Sequence, residues 1–277
     1  MGGSHQAGGN PRRLTSSRWA WGTALALVAA ACAGPSARPD AEVRQALAPS
    51  GKLRVGVYAG SPTSMIRDPV RGEANGVSYG LGKALAARLG VPFEAVEYPR
   101  VAAVVDALKS GAADFTVTNA TPARMKDVDF TAPILAVELG YLAPAGSTLT
   151  EIAQVDRPGI RIGVTQGSTS QTALARSLKN ATLVPAPTVK AAVEMLAQGK
   201  LDLYATNKAI LFEMADQLPG SRILDGRWGV EHMGIAIPKG RERGRAYLDA
   251  FAADAVSSGL VRQAAERAGL RGVAKAE

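Results

Sequence analysis

Hydroxyl and amide side chains occur in two predicted turns of this chain. Ser168 and Thr169 lie directly before a predicted helix, and Thr118, Asn119 and Thr121 follow a predicted strand. Hydroxyls and free backbone N–H groups at a helix N-terminus form a binding site for an anion. The alternative for the first pair is an ordinary helix cap, worth about 1 kcal/mol. The alternative for the second turn is that its polar groups satisfy each other.

Side chains that carry catalysis are scarce in this sequence. It has two histidines and one cysteine, and it shows no metal-ligand cluster, no Ser/His/Asp grouping and no phosphate-binding loop. We therefore expect no catalytic residue, no metal and no cofactor. An enzyme that uses carboxylates in a cleft stays an alternative, since a fold alone does not exclude chemistry.

The first 31 residues are typical of an export signal. They contain three arginines and no acidic residue, and an apolar run at residues 19–31 ends in alanines. A transmembrane anchor is the alternative. The run is, however, shorter than the ~20 residues that a helix needs to span a bilayer. We predict a signal peptide at residues 1–31 and a periplasmic or cell-envelope location.

Cys32 follows the three alanines and is the only cysteine, which excludes a disulfide within the chain. Its position resembles the lipidation site of a bacterial lipoprotein, although Ala29 stands where leucine is usual. Lipidation at Cys32 and plain cleavage both remain open. A lipid anchor is the only membrane contact that we expect.

The charge of the remaining chain argues against a nucleic-acid partner. Residues 32–277 carry 29 basic and 24 acidic side chains, a net charge of +5. They contain no dense Lys/Arg run interleaved with aromatic residues, which nucleic-acid binding would favour.

Short β-rich runs alternate with helical runs, and this pattern occurs twice. We predict strands at 53–58, 93–97 and 114–118 with helices between them, and a second such unit from residue 160. This order predicts an α/β fold with two lobes, each a mostly parallel sheet flanked by helices. The predicted boundaries are a tether at 32–51, lobe 1 at 52–143 and 234–272, and lobe 2 at 144–233. The linking strands are expected near 139–143 and 234–237.

Six motifs resemble, in order, those of the amino-acid type (family 3) of periplasmic solute-binding proteins. They are GVSYGLGKAL (76–85), LKSGAAD (108–114), TPAR with VDFTAP (121–124 and 128–133), GVTQGST (163–169), GKLD (199–202) and GIAIPKG (234–240). The resemblance covers residues 53–270 and implies a type II periplasmic-binding-protein fold with a ligand cleft between the lobes.

The resemblance also implies a function. It implies capture of a small polar solute, most simply one with a carboxylate, for the membrane permease of an ABC-type importer. We expect a monomer. The alternatives are a ligand-sensing or accessory periplasmic protein, and a dehydratase-like enzyme on the same scaffold.

Two residues acquire expected roles from the resemblance. Arg124 matches the arginine that clamps the ligand's carboxylate through two parallel hydrogen bonds. Without the resemblance it would be a surface arginine that pairs with Asp127 or Asp129. Tyr58 follows the first strand, where it either contacts the ligand or packs in the core.

Asn207 departs from the family pattern at the position of the aspartate that binds the ligand's ammonium group. Asparagine accepts a hydrogen bond but cannot neutralise a buried cation. The sequence therefore predicts a ligand without a free α-amino group, unless another acid such as Glu97 or Glu138 replaces that aspartate.

Overall fold

The computed structural model describes residues 1–2, 39–68 and 70–275. The described residues from position 39 onward belong to one compact unit. The predicted signal beyond Gly2, together with Cys32, lies outside the described residues, so export and lipidation stay predictions. Among the described helices, none is long and apolar enough to cross a bilayer.

The described chain alternates strands and helices, as the sequence predicts. The strands are β1 (Leu53–Val57), β2 (Ile66–Arg67), β3 (Ala74–Asn75), β4 (Phe93–Glu97), β5 (Thr116–Asn119), β6 (Val128–Phe130), β7 (Leu135–Ala143), β8 (Arg161–Thr165), β9 (Thr182–Ala186), β10 (Leu203–Asn207), β11 (Arg222–Ile223) and β12 (Gly229–Pro238). The α-helices are α1 (Ala41–Leu47), α2 (Val77–Leu89), α3 (Val101–Lys109), α4 (Pro122–Met125), α5 (Thr169–Ser177), α6 (Val189–Ala197), α7 (Lys208–Gln217), α8 (Glu242–Ser257) and α9 (Leu260–Arg267). A short 3₁₀ helix covers Ile152–Gln154.

The first lobe is built on β1, whose leucine and two valines lie on one face of the strand and are buried. β1 pairs in parallel with β4, and a parallel bridge joins Val55 to Phe115 beside β5. Helix α2 places Leu81, Leu85 and Leu89 in this core because residues four apart share one helical face. Helices α8 and α9 complete the cover of the lobe.

The second lobe repeats this arrangement around β8. Strand β8 lies between β9 and β10 and pairs in parallel with both. Helices α5, α6 and α7 each follow one of these strands, so their N-termini come together at the carboxyl ends of the strands. Ligands of parallel α/β sheets bind at this edge.

Two long antiparallel strands, β7 and β12, link the lobes. They pair with each other from Gly229 opposite Leu139 to Met233 opposite Leu135. Strand β12 also pairs with β5 and β6, and β7 pairs with β10 and β11. Both strands are longer than the linking strands predicted at 139–143 and 234–237. The exact lobe boundaries remain predictions.

The segment predicted as a tether contains helix α1, which packs on α8. Leu47 is 1% exposed. Its side chain packs so closely on α8 that a Cβ built on Gly244 would lie 2.6 Å from it. Leu47 and Ala48 belong to the core of the first lobe. The tether prediction is therefore wrong for these residues, because burial of their apolar side chains docks them on the lobe.

The same arginine–aspartate clamp is present once in each lobe. Arg54 at the start of β1 donates two side-chain bonds of 2.8 Å and one backbone bond of 3.0 Å to Asp114. Arg161 at the start of β8 bonds Asp202 with the same three groups, at 2.7–3.0 Å. The aspartate that ends the motif LKSGAAD thus joins β1 to the loop before β5. The aspartate that ends GKLD joins β8 to the loop before β10 in the same way.

Asp114 should contribute more to stability than Asp202, because it also accepts a 2.7 Å bond from the buried Arg241. Asp114→Ala would leave the Arg241 cation buried with the Leu47 carbonyl but without a carboxylate, and we expect a loss of about 3–5 kcal/mol. Asp202 is partly exposed, so Asp202→Ala should cost only about 1–2 kcal/mol. Urea unfolding of the two variants measures this difference. Equal losses would contradict the assigned role of Arg241.

Candidate functional site

A small cavity lies between the lobes, where β5 and the helices of the second lobe meet the linking strand β12. Seven of the eight predicted ligand-binding residues line it: Tyr58, Thr118, Asn119, Arg124, Ser168, Thr169 and Asn207. The space open to the centre of a water molecule is only about 30 Å³. The eighth residue, Thr121, lines a wider neighbouring cavity of about 600 Å³, which shares Arg124, Ser168 and Thr169 with the small one.

Arg124 is positioned by the turn that precedes it. Thr121 caps α4 by accepting a 3.3 Å bond from the Arg124 backbone N–H. The guanidinium Nη1 donates to the Thr118 hydroxyl at 2.7 Å and to the Asn119 carbonyl at 3.3 Å. Among the described residues these bonds use one edge of the guanidinium. The rest of its planar fork can therefore donate to a carboxylate.

Burial lowers the pKa of the Arg124 guanidinium from its ordinary value, and the nearby Glu231 carboxylate acts in the opposite direction. The ordinary pKa of arginine lies far above neutral pH, so the side chain stays cationic at neutral pH. The cavity therefore contains a fixed positive charge on the side of the first lobe.

The second lobe presents the N-terminus of α5 to the cavity. Ser168 caps this helix, because its hydroxyl accepts a 3.1 Å bond from the Gln171 backbone N–H. Thr169 donates its hydroxyl to Glu231 at 2.6 Å. The helix N-terminus adds partial positive charge near Arg124, as an anionic group of a ligand would require.

Glu231 was not predicted as a site residue, yet it is the carboxylate of the cavity. It lies on β12 and is 5% exposed, and its carboxylate accepts hydrogen bonds from side chains of both lobes. Its Oε1 accepts from Thr169 at 2.6 Å and from Asn119 at 3.4 Å, and its Oε2 accepts from Asn207 at 2.9 Å. Among the charged residues that the structure describes, only Arg124 and Glu231 line this cavity.

Asn207 uses both ends of its amide within the protein. Its Nδ2 donates to Glu231, and its Oδ1 accepts from the Ile210 backbone N–H at 3.2 Å and so caps α7. The residue therefore orients Glu231. The sequence left open that an acid other than residue 207 lies in the cleft, and Glu231, on another strand, is such an acid.

The two acids named as substitutes lie elsewhere. Glu97 pairs with Arg67 at 3.0 Å on the surface. Glu138 pairs with Lys208 at 2.7 Å and Arg227 at 3.3 Å. Neither lines the cavity that contains Arg124.

Tyr58 lines the cavity and also packs against the core of the second lobe. Burial raises the pKa of its phenol above the ordinary value, and the charge of Glu231 contributes in the same direction. The hydroxyl thus stays protonated at neutral pH. The two roles considered for Tyr58, core packing and cavity wall, therefore coincide at one residue.

The lobes are in contact around the cavity, so the structure represents a closed cleft. Asn119 of the first lobe donates to the Thr169 hydroxyl of the second at 3.4 Å. In the wall of the neighbouring cavity, a Cβ built on Gly167 would lie 2.7 Å from the Cβ of Ala102. At the opposite side, a Cβ on Gly60 would lie 3.2 Å from Val189.

Gly167→Ala should therefore weaken ligand binding by obstructing closure. The added methyl group would overlap Ala102 only when the lobes meet, and we expect affinity to fall about tenfold, or about 1.4 kcal/mol. Gly199→Ala is the matched control, because Gly199 also has a positive φ (66°) but no atom lies within 4 Å of its added Cβ. Both variants should lose similar ligand-free stability. Equal ligand affinity, measured by calorimetry, would contradict the closure contact.

The family model for bacterial extracellular solute-binding proteins, family 3, matches residues 53–269. The ABC transporter glutamine-binding protein of Bacillus subtilis (strain 168) is 24% identical over 200 residues, which cover 71% of this chain and 73% of that protein.

Two solved structures share the fold. The solute receptor for L-cysteine of Neisseria gonorrhoeae has a TM-score of 0.73 and 23% identity, and the match covers 84% of this chain and 99% of that one. An ancestral amino acid-binding protein, described as a precursor of cyclohexadienyl dehydratase, has a TM-score of 0.69 and 24% identity, with 79% and 96% covered. The two-lobed fold and the resemblance carried by the six motifs are thus confirmed. The chain belongs to the bacterial extracellular solute-binding proteins, family 3.

Proposed function

We propose that this protein captures an α-amino acid between its lobes, with Arg124 binding the carboxylate and Glu231 binding the ammonium group. The observation that carries the proposal is that these two opposite charges line one buried cavity. A zwitterion brings the complementary pair, so each buried charge gains a partner and the site stays neutral. A simple carboxylate would pair Arg124 and leave Glu231 without a cation.

Glu231 has the capacity to accept one further bond. An ionised carboxylate offers about four acceptor positions, two on each oxygen. Among the described residues, Thr169 and Asn119 bond Oε1, and Asn207 is the single donor to Oε2. An ammonium group can donate to the remaining position on Oε2. The sequence predicts a ligand without an amino group unless another acid replaces the aspartate at position 207, and we propose that Glu231 is that acid.

Ligand binding and lobe closure are coupled in this proposal. Arg124 belongs to the first lobe, the N-terminus of α5 belongs to the second, and Glu231 bonds side chains of both. A ligand that contacts all three groups can do so only when the lobes meet. Binding therefore favours the closed form by the difference in its contacts between the two forms.

The role in transport follows from the relatives and is likewise a proposal. The name of the Bacillus subtilis relative places it with an ABC transporter. We propose that the closed, ligand-bound form delivers its solute to the permease of such an importer. Export through residues 1–31, retention by a lipid at Cys32 and a monomeric state complete this proposal.

Two other functions would use the same cavity. A sensor or accessory protein would bind the same ligand and report closure to a different partner. A dehydratase-like enzyme is favoured only by the buried Glu231 and by the ancestral neighbour named as a dehydratase precursor. We favour binding without chemistry, since the bonds from Thr169 and Asn207 hold Glu231 as an acceptor.

Thermal unfolding of the protein with a panel of solutes tests the proposed function. The panel contains the amino acids, their des-amino carboxylates and neutral polar solutes. Ligand at a hundred times its dissociation constant adds about 2.7 kcal/mol of stability, which raises the midpoint by a few degrees. We expect a shift with amino acids and a smaller one with carboxylates. A shift with carboxylates alone would reject the role of Glu231.

A further inference from the structure

We infer that the captured amino acid is small, has no charge on its side chain and hydrogen-bonds the hydroxyl of Ser170, as serine or a similar small polar amino acid would. This inference rests on the proposed function and concerns the part of the ligand beyond its two charged groups. Three independent observations on the cavity carry it: its charge, its size and one unpartnered hydroxyl.

The charge of the cavity excludes ligands with a third ionised group. Within the described part of the chain its charged lining consists of Arg124 and Glu231. A zwitterion uses both of these partners. The side chain of arginine, lysine or glutamate would then bring a further charge into a closed site without a counter-charge, which is strongly unfavourable.

The size of the cavity favours a short ligand. About 30 Å³ is open to the centres of water-sized molecules, which corresponds to roughly two waters. Even the smallest amino acid therefore requires the lobes to separate slightly from the positions in this structure. Every further heavy atom would separate them more and weaken the contacts of Asn119 with Thr169 and of Gly167 with Ala102. Long side chains thus oppose closure.

Ser170 supplies the polar contact for a short side chain. It is 2% exposed, lines the cavity and follows Thr169 on α5. Its hydroxyl is buried and has no hydrogen-bond partner among the described residues, whereas the hydroxyls of Thr118, Ser168 and Thr169 around the same cavity are all bonded. Buried hydroxyls are almost always paired, so an unpaired one in a ligand cavity indicates a bond that the ligand completes.

Calorimetric titration of the full chain with L-serine, L-alanine and L-arginine tests the inference. L-serine should bind about tenfold more tightly than L-alanine, the effect of one added hydrogen bond. L-arginine should bind at least about a hundredfold more weakly than L-serine because its guanidinium stays unpaired. L-arginine that binds as tightly as L-serine would overturn the inference and leave the proposed function standing. No binding of any amino acid would overturn the proposed function itself.

Ser170→Ala identifies the contact. It should bring the affinities for L-serine and L-alanine to within about twofold of each other, because both ligands then lack the hydroxyl partner. Its ligand-free melting temperature should stay the same or rise, since an unpaired buried hydroxyl is removed; a serine with a structural role would show a fall. Ser221→Ala is the control, because its hydroxyl is also buried and unpartnered but lies outside this cavity. A tenfold preference for L-serine that survives in Ser170→Ala would overturn the assignment.

Discussion

Glu231→Gln should weaken the binding of the captured amino acid by about 100- to 1,000-fold, which corresponds to about 3–4 kcal/mol. Glutamine has the same shape and can still hydrogen-bond Asn207 or Thr169, so the wall of the cavity is preserved. It has no negative charge, however, and the ligand's ammonium group would be buried without a counter-charge. The site would then have the net positive charge of Arg124 and should prefer a simple carboxylate. Calorimetry with an amino acid and its des-amino analogue measures this reversal.

Glu138→Gln is the matched control for Glu231→Gln. Glu138 lies on β7, opposite Val230 in the paired linking strands, and binds Lys208 and Arg227 outside the cavity. The Lys208 and Arg227 side chains hold the pKa of Glu138 below its ordinary value, so this variant should change stability. It should leave the preference for the amino acid over the carboxylate unaltered. If both variants changed that preference equally, Glu231 would have no direct contact with the ligand.

Arg124→Ala should abolish measurable binding of the amino acid, with a loss of at least about 1,000-fold. The ligand's carboxylate would lose its counter-charge, and Glu231 would remain as the only charge in the described lining of the cavity. The site should then prefer an amine that lacks a carboxylate. The two variants therefore predict opposite changes: Glu231→Gln favours the acid without the amine, and Arg124→Ala favours the amine without the acid.

Arg124→Lys separates charge from geometry. Lysine keeps the positive charge but cannot donate two parallel bonds to a carboxylate while it also bonds Thr118, as arginine does here at 2.7 Å. We expect a loss of about 10- to 100-fold, between the wild type and Arg124→Ala. Lys126→Ala, an exposed cation just after the same helix, is the control and should bind normally. If Arg124→Lys bound the amino acid as tightly as the wild type, the positive charge alone would be sufficient for binding.

Much of the fold is predictable from the sequence because its elements depend on local patterns. The leucines at 81, 85 and 89 recur every four residues and define the buried face of α2. The runs at 53–57 and 161–165 form the parallel strands that the alternation of strands and helices predicts. Helix α1 was missed as part of the lobe because docking of its short apolar face on α8 depends on residues about 200 positions away.

The candidate site likewise contains residues that local motifs predict and one residue that they do not. Arg124, Ser168 and Thr169 belong to motifs with recognisable spacing, and all three line the cavity. Glu231 belongs to no motif, and its partners Asn119 and Thr169 are 112 and 62 residues away. Only the pairing of β12 with β5 and β7 brings it into the cleft. A sequence signal did exist, since Glu231 lies only three residues before the strand predicted at 234–237 to link the lobes.

The most direct test of the central claim is calorimetric titration of the wild-type protein with L-serine, 3-hydroxypropionate and ethanolamine. The second compound is serine without its amino group, and the third is serine without its carboxylate. If Arg124 and Glu231 bind the two ends of one amino acid, L-serine should bind at least about 100-fold more tightly than either fragment. If 3-hydroxypropionate binds as tightly as L-serine, Glu231 does not bind an ammonium group and the account is wrong.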